Sequence, residues 1–209
     1  MNKKILLITL FVIANISLGL SSVSLTKVYD RSGVTYLKST NTPYTGQIEC
    51  TYANGKQQLE FNFKDGLSDG HQTAWYDNGN KQTETNYKNG VLNGKTTTWY
   101  QNGGIESIVT LKDNLVYELV AYKNNKSIVY KSKDNSAYTG NTTVWYTNGA
   151  KKQTLTYKDG IKNGPSITWY NTGEKNMTST FKEGKQNGVA ILWDKKGKKI
   201  VEHNFKDGL

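Results

Sequence analysis

The stretch GHQTAWYDNG, residues 70–79, decides how this chain folds. Its threonine, tryptophan and tyrosine suit a pleated, half-buried strand. It ends in Asn78-Gly79, and Asn-Gly between such strands is the strongest two-residue hairpin signal, because a type I′ turn needs positive φ at both central positions. The stretch therefore predicts a β-hairpin that turns at Asn78-Gly79.

A two-residue turn at this point also fixes the register of the hairpin. It places Asp77 opposite Asn80, and the next positions then pair Tyr76 with Lys81 and Trp75 with Gln82. Side chains alternate between the two faces of a strand. The sequence thus predicts one face that carries the tryptophan and another that carries the tyrosines.

The same pattern recurs in six units of about 24 residues, a period typical of repeat proteins. Each unit starts at a glycine: Gly46, Gly70, Gly94, Gly140, Gly164 and Gly188. All five tryptophans follow such a glycine by five residues: Trp75, Trp99, Trp145, Trp169 and Trp193. The next residue is Tyr76, Tyr100, Tyr146, Tyr170 or, in the last unit, Asp194. Asparagine-glycine turn pairs stand at Asn54-Gly55, Asn78-Gly79, Asn102-Gly103 and Asn148-Gly149.

The repeats form two tandem blocks. Tyr44-Thr45-Gly46 opens three units, and Tyr138-Thr139-Gly140 opens three more that match them. We therefore predict a first block over 22–114 and a second over 115–209, with a degenerate junction near 115–137. Each unit ends in a Lys-Asp-Gly-like exit, which we expect to connect one hairpin to the next.

These features predict an all-β fold, an elongated, twisted antiparallel β-meander of six hairpins. Only 35% of the residues are hydrophobic, and 11% are aromatic, so the core must be thin and rich in Trp, Tyr and Phe. The formal charge is +10, with Arg31 as the sole arginine. Sequence-specific nucleic-acid binders rely on arginine, so this balance argues against specific nucleic-acid binding and leaves a glycan or an anionic surface as alternative partners.

The first 21 residues resemble a signal peptide. Lys3 and Lys4 precede an apolar run over 5–16, and small residues follow, with cleavage expected between Gly19 and Ser22. The apolar run is shorter than the ~20 residues of a membrane span. We expect an exported protein, periplasmic, on the cell surface or secreted, with no transmembrane segment in the mature chain.

Two catalytic motifs are matched only superficially. Gly66-Leu67-Ser68-Asp69-Gly70 has the spacing of a nucleophile elbow, whose serine stands on a strand-to-helix turn. The segment 90–96 resembles a phosphate-binding loop that is one residue short. In both, the glycines belong to the repeat. With His71 and His203 as the only histidines and no metal-ligand spacing, the sequence indicates no catalytic residue, no cofactor and no metal site, and we expect a protein that is not an enzyme.

The Tyr-Thr-Gly opening, the Trp-Tyr-x-Asn-Gly hairpin and the Tyr-Lys-Asp-Gly exit resemble the bacterial variant of the MORN repeat over about residues 36–209. Within it, the chain looks like the YwqK-type group commonly labelled toxin–antitoxin antitoxins. The resemblance implies a sheet of repeated hairpins and a role in binding proteins. Its label implies neutralisation of a toxin.

The sequence therefore favours a non-enzymatic scaffold that binds an unidentified protein partner through an aromatic, lysine-rich face of the sheet. An antitoxin or immunity protein that neutralises a toxin by binding is one alternative. A glycan or cell-wall binding module is another, because aromatic faces stack on sugar rings.

Overall fold

The computed structural model describes residues 27–124 and 126–209, so the predicted signal peptide lies outside the described residues. The described chain is built of short antiparallel strands, which confirms the all-β meander. The strands are β1 (Val28–Arg31), β2 (Val34–Leu37), β3 (Thr42–Pro43), β4 (Gly46–Thr51), β5 (Gln57–Lys64), β6 (Leu67–Trp75), β7 (Lys81–Lys88), β8 (Val91–Leu92), β9 (Gly94–Trp99), β10 (Ile105–Lys112), β11 (Leu115–Lys123), β12 (Lys126–Lys131), β13 (Gly140–Trp145), β14 (Lys151–Lys158), β15 (Ile161–Trp169), β16 (Lys175–Lys182), β17 (Lys185–Gln186), β18 (Gly188–Trp193) and β19 (Lys199–Phe205).

The chain divides into two compact units, one that ends at Gly104 and one that begins at Ile105. In the first unit, β1, β2 and β3 form one small sheet, while β4, β5, β6, β7 and β9 pair in chain order with β8 on β7. In the second unit, β11 pairs with β10 and β12, while β13, β14, β15, β16, β18 and β19 pair in chain order with β17 on β16. The predicted blocks, 22–114 and 115–209, concern duplication of the sequence and stay a prediction.

The Lys-Asp-Gly exits are the tight two-residue turns of this fold. Lys64 pairs with Leu67 across such a turn, and the two residues between them, Asp65 and Gly66, have φ of 50° and 78°. Positive φ at both central positions is the signature of type I′ turns. The sequence predicts connectors at these exits, whereas the first five each reverse the chain directly into the next strand.

The Asn-Gly pairs, by contrast, lie in three-residue turns. Tyr76 closes the turn, since its carbonyl accepts from the Gly79 amide at 2.9 Å and its amide donates to the Asn80 carbonyl at 2.8 Å. Gly79 has a φ of 93°, whereas Asn78 is not among the residues with positive φ. Asn78 Oδ1 instead accepts the Asn80 amide at 2.9 Å, a local bond that asparagine readily makes.

The predicted register of this hairpin is therefore wrong. Trp75 pairs with Lys81, not with Gln82, and a bulge separates it from the Ala74 pair. The same bulge stands next to Trp145, Trp169 and Trp193. The three-residue turn shifts the Trp75 pair by one residue, and the bulge shifts it back, so Ala74 pairs with Thr83 as a two-residue turn would predict.

The glycine that opens each unit pairs with the aromatic residue that closes it. Gly70 stands opposite Tyr87, and Gly164 opposite Phe181. A glycine leaves room for a large ring on the neighbouring strand, as in the aromatic rescue of strand glycines. At Gly140, whose φ is 145°, a Cβ atom would lie 2.6 Å from the hydroxyl of Tyr138, so a larger residue would be strained there.

The two faces of the sheet differ in burial. Along β7, Thr83, Thr85 and Tyr87 are buried and alternate with half-buried residues. Across the same face, Ala74 is buried together with Leu59 in one cluster. We call this the Tyr face, and it holds the core. The opposite face is the Trp face, which comprises Trp75, Lys81, Glu84 and Trp99 in the first unit, and Trp145, Lys151, Thr154, Ile167, Trp169, Lys175, Thr178, Ile191 and Trp193 in the second.

Each set of repeats is closed at its start by a strand from outside the repeats. In the first unit, the Thr35 amide donates to the Gly66 carbonyl at 2.8 Å and its carbonyl accepts from the Tyr44 amide at 2.8 Å. In the second unit, Val116 makes the same two bonds with Gly160 and Tyr138, at 3.0 and 2.7 Å. Within the junction near 115–137, β11 thus closes the second set as β2 closes the first.

Candidate interaction surface

Tyrosine hydroxyls join successive hairpins within each unit. The hydroxyl of Tyr76 donates to the carbonyl of Trp99 at 2.8 Å. The other bonds of this kind run from Tyr52 to Trp75, from Tyr146 to Trp169 and from Tyr170 to Trp193, at 2.7, 2.7 and 2.8 Å. Each hydroxyl therefore satisfies a carbonyl 23 residues further along the chain, which explains why a tyrosine follows the tryptophan.

Asp194 stands where the earlier units have this tyrosine, in the last unit of the sequence. Its Oδ1 accepts the amides of Lys196 and Lys198 at 2.8 and 2.9 Å. The aspartate thus stabilises its own turn.

The turn asparagines form a second set of bonds between hairpins. Asn78 Nδ2 donates to the Gln101 carbonyl at 2.7 Å, and Asn148 Nδ2 donates to the Asn171 carbonyl at 2.8 Å. Each asparagine therefore closes its own turn with Oδ1 and holds the next turn with Nδ2. The other turn positions predicted from sequence, Asn54-Gly55 and Asn102-Gly103, lie in turns of the same form.

Lysines lie over the tryptophan rings of the following hairpin. Lys81 Nζ is 5.7 Å from the centroid of Trp99, and Lys151 Nζ is 5.8 Å from that of Trp169. Such cation–π contacts contribute about 0.5–1 kcal/mol at exposed sites. A tryptophan, a lysine stem and an ammonium therefore form one composite surface in each of these hairpins.

The tryptophans are not equally buried, although they occupy equivalent positions. Trp145 is only 7% exposed because it packs against Leu119 and Ala121, and Lys123 Nζ lies 5.6 Å from its ring. The remaining four, Trp75, Trp99, Trp169 and Trp193, are half-buried. Because they are copies of one repeat position, the sequence predicts similar burial for Trp75, Trp99, Trp145 and Trp169, and this prediction is wrong at Trp145, which β11 covers.

The Trp faces of the two units differ in charge. Lys81 forms an ion pair with Glu84, three residues later. At the equivalent position the second unit has Thr154 after Lys151 and Thr178 after Lys175. Among the residues that the structure describes, neither of these two lysines has an ion-pair partner.

A second lysine environment occurs on the Tyr face. The half-buried Lys162 pairs with Tyr157 in the ladder, and its Nζ lies 5.4 Å from the Phe181 ring. Burial lowers the pKa of Lys162 and raises the pKa of Tyr157 to about 12. Both shifts arise from loss of hydration, so the pair belongs to the core.

The catalytic near-matches lie in ordinary strands. Ser68 is part of β6 and pairs with Phe63, and its carbonyl accepts the Gly90 amide at 2.8 Å. The segment 90–96 runs from a turn through β8 into β9. Within 27–124 and 126–209 no group of three or more His, Cys, Asp or Glu side chains could hold a metal ion, and no helix there has the length and apolarity to cross a bilayer.

Comparison with known proteins bears on the repeat itself. Residues 68–89, 92–113 and 138–159 each match the family model of the MORN repeat variant. These three segments are similar to the MORN repeat variant. No curated protein matches the chain. Each matched segment includes one tryptophan and ends in the exit turn, and similarity to this repeat is compatible with a repeat-based binding scaffold.

Sequence reasoning missed the hydrogen bonds between one hairpin and the next. The signal was present, since a tyrosine follows each tryptophan until Asp194 replaces it in the last unit. The lysine after each turn was recognised only as a rim of the surface. Its contact with the next tryptophan depends on the bulge, which the predicted register lacked.

Proposed function

We propose that this protein is a non-enzymatic scaffold that binds a protein partner through the Trp face of its MORN-variant repeats. The observation that carries the proposal is the composite tryptophan–lysine surface, which occurs at equivalent repeat positions in both units. Large aromatic side chains with polar surroundings are where binding energy concentrates in protein interfaces. Repeated modest contacts also add through avidity.

The difference in burial selects the Trp face over the Tyr face. Tyr87 and Tyr157 are buried in the core, so a partner could reach them only by unfolding the sheet. Lys81, Lys151 and Lys175 are exposed on the opposite face. A partner on that face would bury the lysine stems and the accessible part of the tryptophans without disturbing the core.

The proposal also covers where the protein acts and what kind of protein it binds. Export, to the periplasm, the cell surface or the medium, is supported by Lys3, Lys4 and the apolar run over 5–16. Mass spectrometry of the mature N-terminus tests it, and an intact Met1 on a cytoplasmic protein would contradict it. Neutralisation of a toxin would be one form of the proposed binding, and rescue of cells that express a candidate toxin tests that form.

Glycan binding is less well supported than protein binding. Stacking on a sugar needs an open aromatic face, and in Trp99, Trp145 and Trp169 a lysine ammonium lies over the ring. Retention on peptidoglycan or glycan beads, lost on substitution of these tryptophans, would favour the glycan-binding alternative instead.

The decisive experiment is affinity capture with the full chain, followed by mass spectrometry and a titration of the partner that is found. Lys151→Ala alone should weaken binding partially. The triple variant Lys81→Ala/Lys151→Ala/Lys175→Ala should abolish it while the circular dichroism spectrum stays unchanged. If one lysine carried all of the binding while the equivalent lysines carried none, a distributed surface would be excluded.

A further inference from the structure

The two units are built from the same hairpin repeat but differ in net charge. Residues 27–104 contain eight basic and seven acidic side chains, whereas residues 105–209 contain seventeen lysines and ten acidic side chains. The positive charge of the molecule is thus concentrated in the second unit. An asymmetry of this size steers oppositely charged partners to one unit, an effect that weakens with salt.

The asymmetry extends to the Trp face itself. In the first unit, Glu49 pairs with Glu60 across β4 and β5, and Glu84 stands in the same row on β7, opposite Thr73. In the second unit, the corresponding row contains Thr143 and Thr154 on β13 and β14, then Ile167, Thr178 and Ile191 on β15, β16 and β18. The first row carries carboxylates, whereas the second is neutral from β13 to β18.

The neutral row leaves the neighbouring lysines available. Lys81 and Lys199 each pair with a glutamate three residues later. Lys151 and Lys175 have threonine at that position and stand two strands apart, about 10 Å by the usual strand spacing. The half-buried Ile167 lies in the row between their strands and adds an apolar contact.

We propose that the Trp face of the second unit binds an acidic, extended segment of a partner protein through Lys151 and Lys175. The inference rests on the proposed function and names the partner's chemistry. In an extended segment, alternate side chains project to one side at intervals of about 7 Å. Carboxylates at such intervals are within reach of two flexible lysine stems about 10 Å apart.

The same geometry makes the first unit a poor site for this segment. Its row of Glu49, Glu60 and Glu84 repels carboxylates, and Lys81 is already paired with Glu84. Carboxylates on one surface and lysines on the other direct an acidic segment to the lysines and away from the carboxylates. We therefore expect the acidic segment to bind the second unit and not the first.

The test uses the purified full chain and a fluorescent twelve-residue peptide of alternating glutamate and threonine, measured by anisotropy at low salt. The variant Thr154→Glu/Thr178→Glu restores the lysine–glutamate pattern of the first unit and should weaken binding about tenfold or more. Lys151→Gln/Lys175→Gln should do the same, which keeps the test valid if the threonine variant does not fold.

The matched control is Lys158→Gln/Lys182→Gln. These lysines end the same two strands, β14 and β16, that Lys151 and Lys175 begin, so the change in net charge is identical. Binding should stay within about twofold of the wild type. Equal losses in both double variants would overturn the proposal, because net charge alone would then account for binding.

The same measurement distinguishes other ligands of this surface from an acidic segment. Tighter binding of an oligonucleotide or of anionic vesicles, lost in the Lys151/Lys175 variant, would overturn the proposal, as would self-association that the variant abolishes. Failure of this inference is distinguishable from failure of the proposed function. A captured partner whose binding survives Thr154→Glu/Thr178→Glu but not the triple lysine variant would retain the scaffold and refute the acidic segment.

Discussion

Tyr146→Phe removes one bond between successive hairpins without changing the shape of the side chain. The hydroxyl of Tyr146 donates to the Trp169 carbonyl at 2.7 Å in a half-buried position. A net hydrogen bond contributes about 0.5–1.5 kcal/mol, and an acceptor left unsatisfied adds to the loss. We therefore expect the free energy of unfolding to fall by about 1–2 kcal/mol.

The assay is urea and thermal unfolding followed by circular dichroism. For a chain of this length, each 1 kcal/mol lowers Tm by about 2–4 °C. Tyr170→Phe, which removes the bond to Trp193, should have a similar effect. The control is Tyr117→Phe, because among the described residues the hydroxyl of Tyr117 forms no hydrogen bond. Equal stability of all three variants would refute the tyrosine ladder as a source of cohesion between repeats.

Four further predictions follow from the packing. Gly160→Ala should cost about 1–2 kcal/mol more than Gly197→Ala in urea unfolding, because the two share similar φ but a Cβ at Gly160 would lie 2.9 Å from β11; equal costs would contradict this. Trp145→Ala should cost about 3–5 kcal/mol, as for a core aromatic, and a cost below about 0.5 kcal/mol would place it on the surface. Burial raises the pKa of Tyr157 to about 12, so the stability it contributes is present below pH ~10 and is lost as pH rises to ~12, by about 2–3 kcal/mol; Tyr157→Phe should reduce this alkaline loss. Ser68→Ala should leave stability and partner binding unchanged, and labelling of Ser68 by a fluorophosphonate probe would contradict its structural role.

The fold class could be predicted because one signal was repeated many times. A period of about 24 residues with a tryptophan, a tyrosine and a turn pair in each unit admits few architectures. The hairpin position around Asn78-Gly79 followed from local turn chemistry. Agreement among the units supports the fold class, but it does not correct an error that all units share, such as the turn type.

The turn type could not be read from the pair alone. Asn-Gly fits a type I′ turn, but it also fits a three-residue turn in which only the glycine has positive φ. Asn78 selects the second because its side chain bonds both to Asn80 and to the carbonyl of Gln101. The second of these bonds comes from the neighbouring hairpin, which local sequence rules do not include.

The candidate surface was predicted in outline and missed in detail. Aromatic residues rimmed by lysines such as Lys81 were expected on one face, but burial had to decide which face was core. The availability of Lys151 depends on the absence of a carboxylate three residues later. The importance of Thr154 for Lys151 becomes clear only in the structure, where the bulge places both side chains on the same face as Trp169.

The most direct test of the binding account is hydroxyl-radical footprinting of the full chain with and without its captured partner. Protection should appear at the half-buried tryptophans and exposed lysines of the Trp face, in at least two successive hairpins such as those of Lys151 and Lys175. The buried Tyr87 and Tyr157 should show no change. Protection confined to one hairpin, or new reactivity at the buried tyrosines, would contradict a distributed interaction surface on the Trp face.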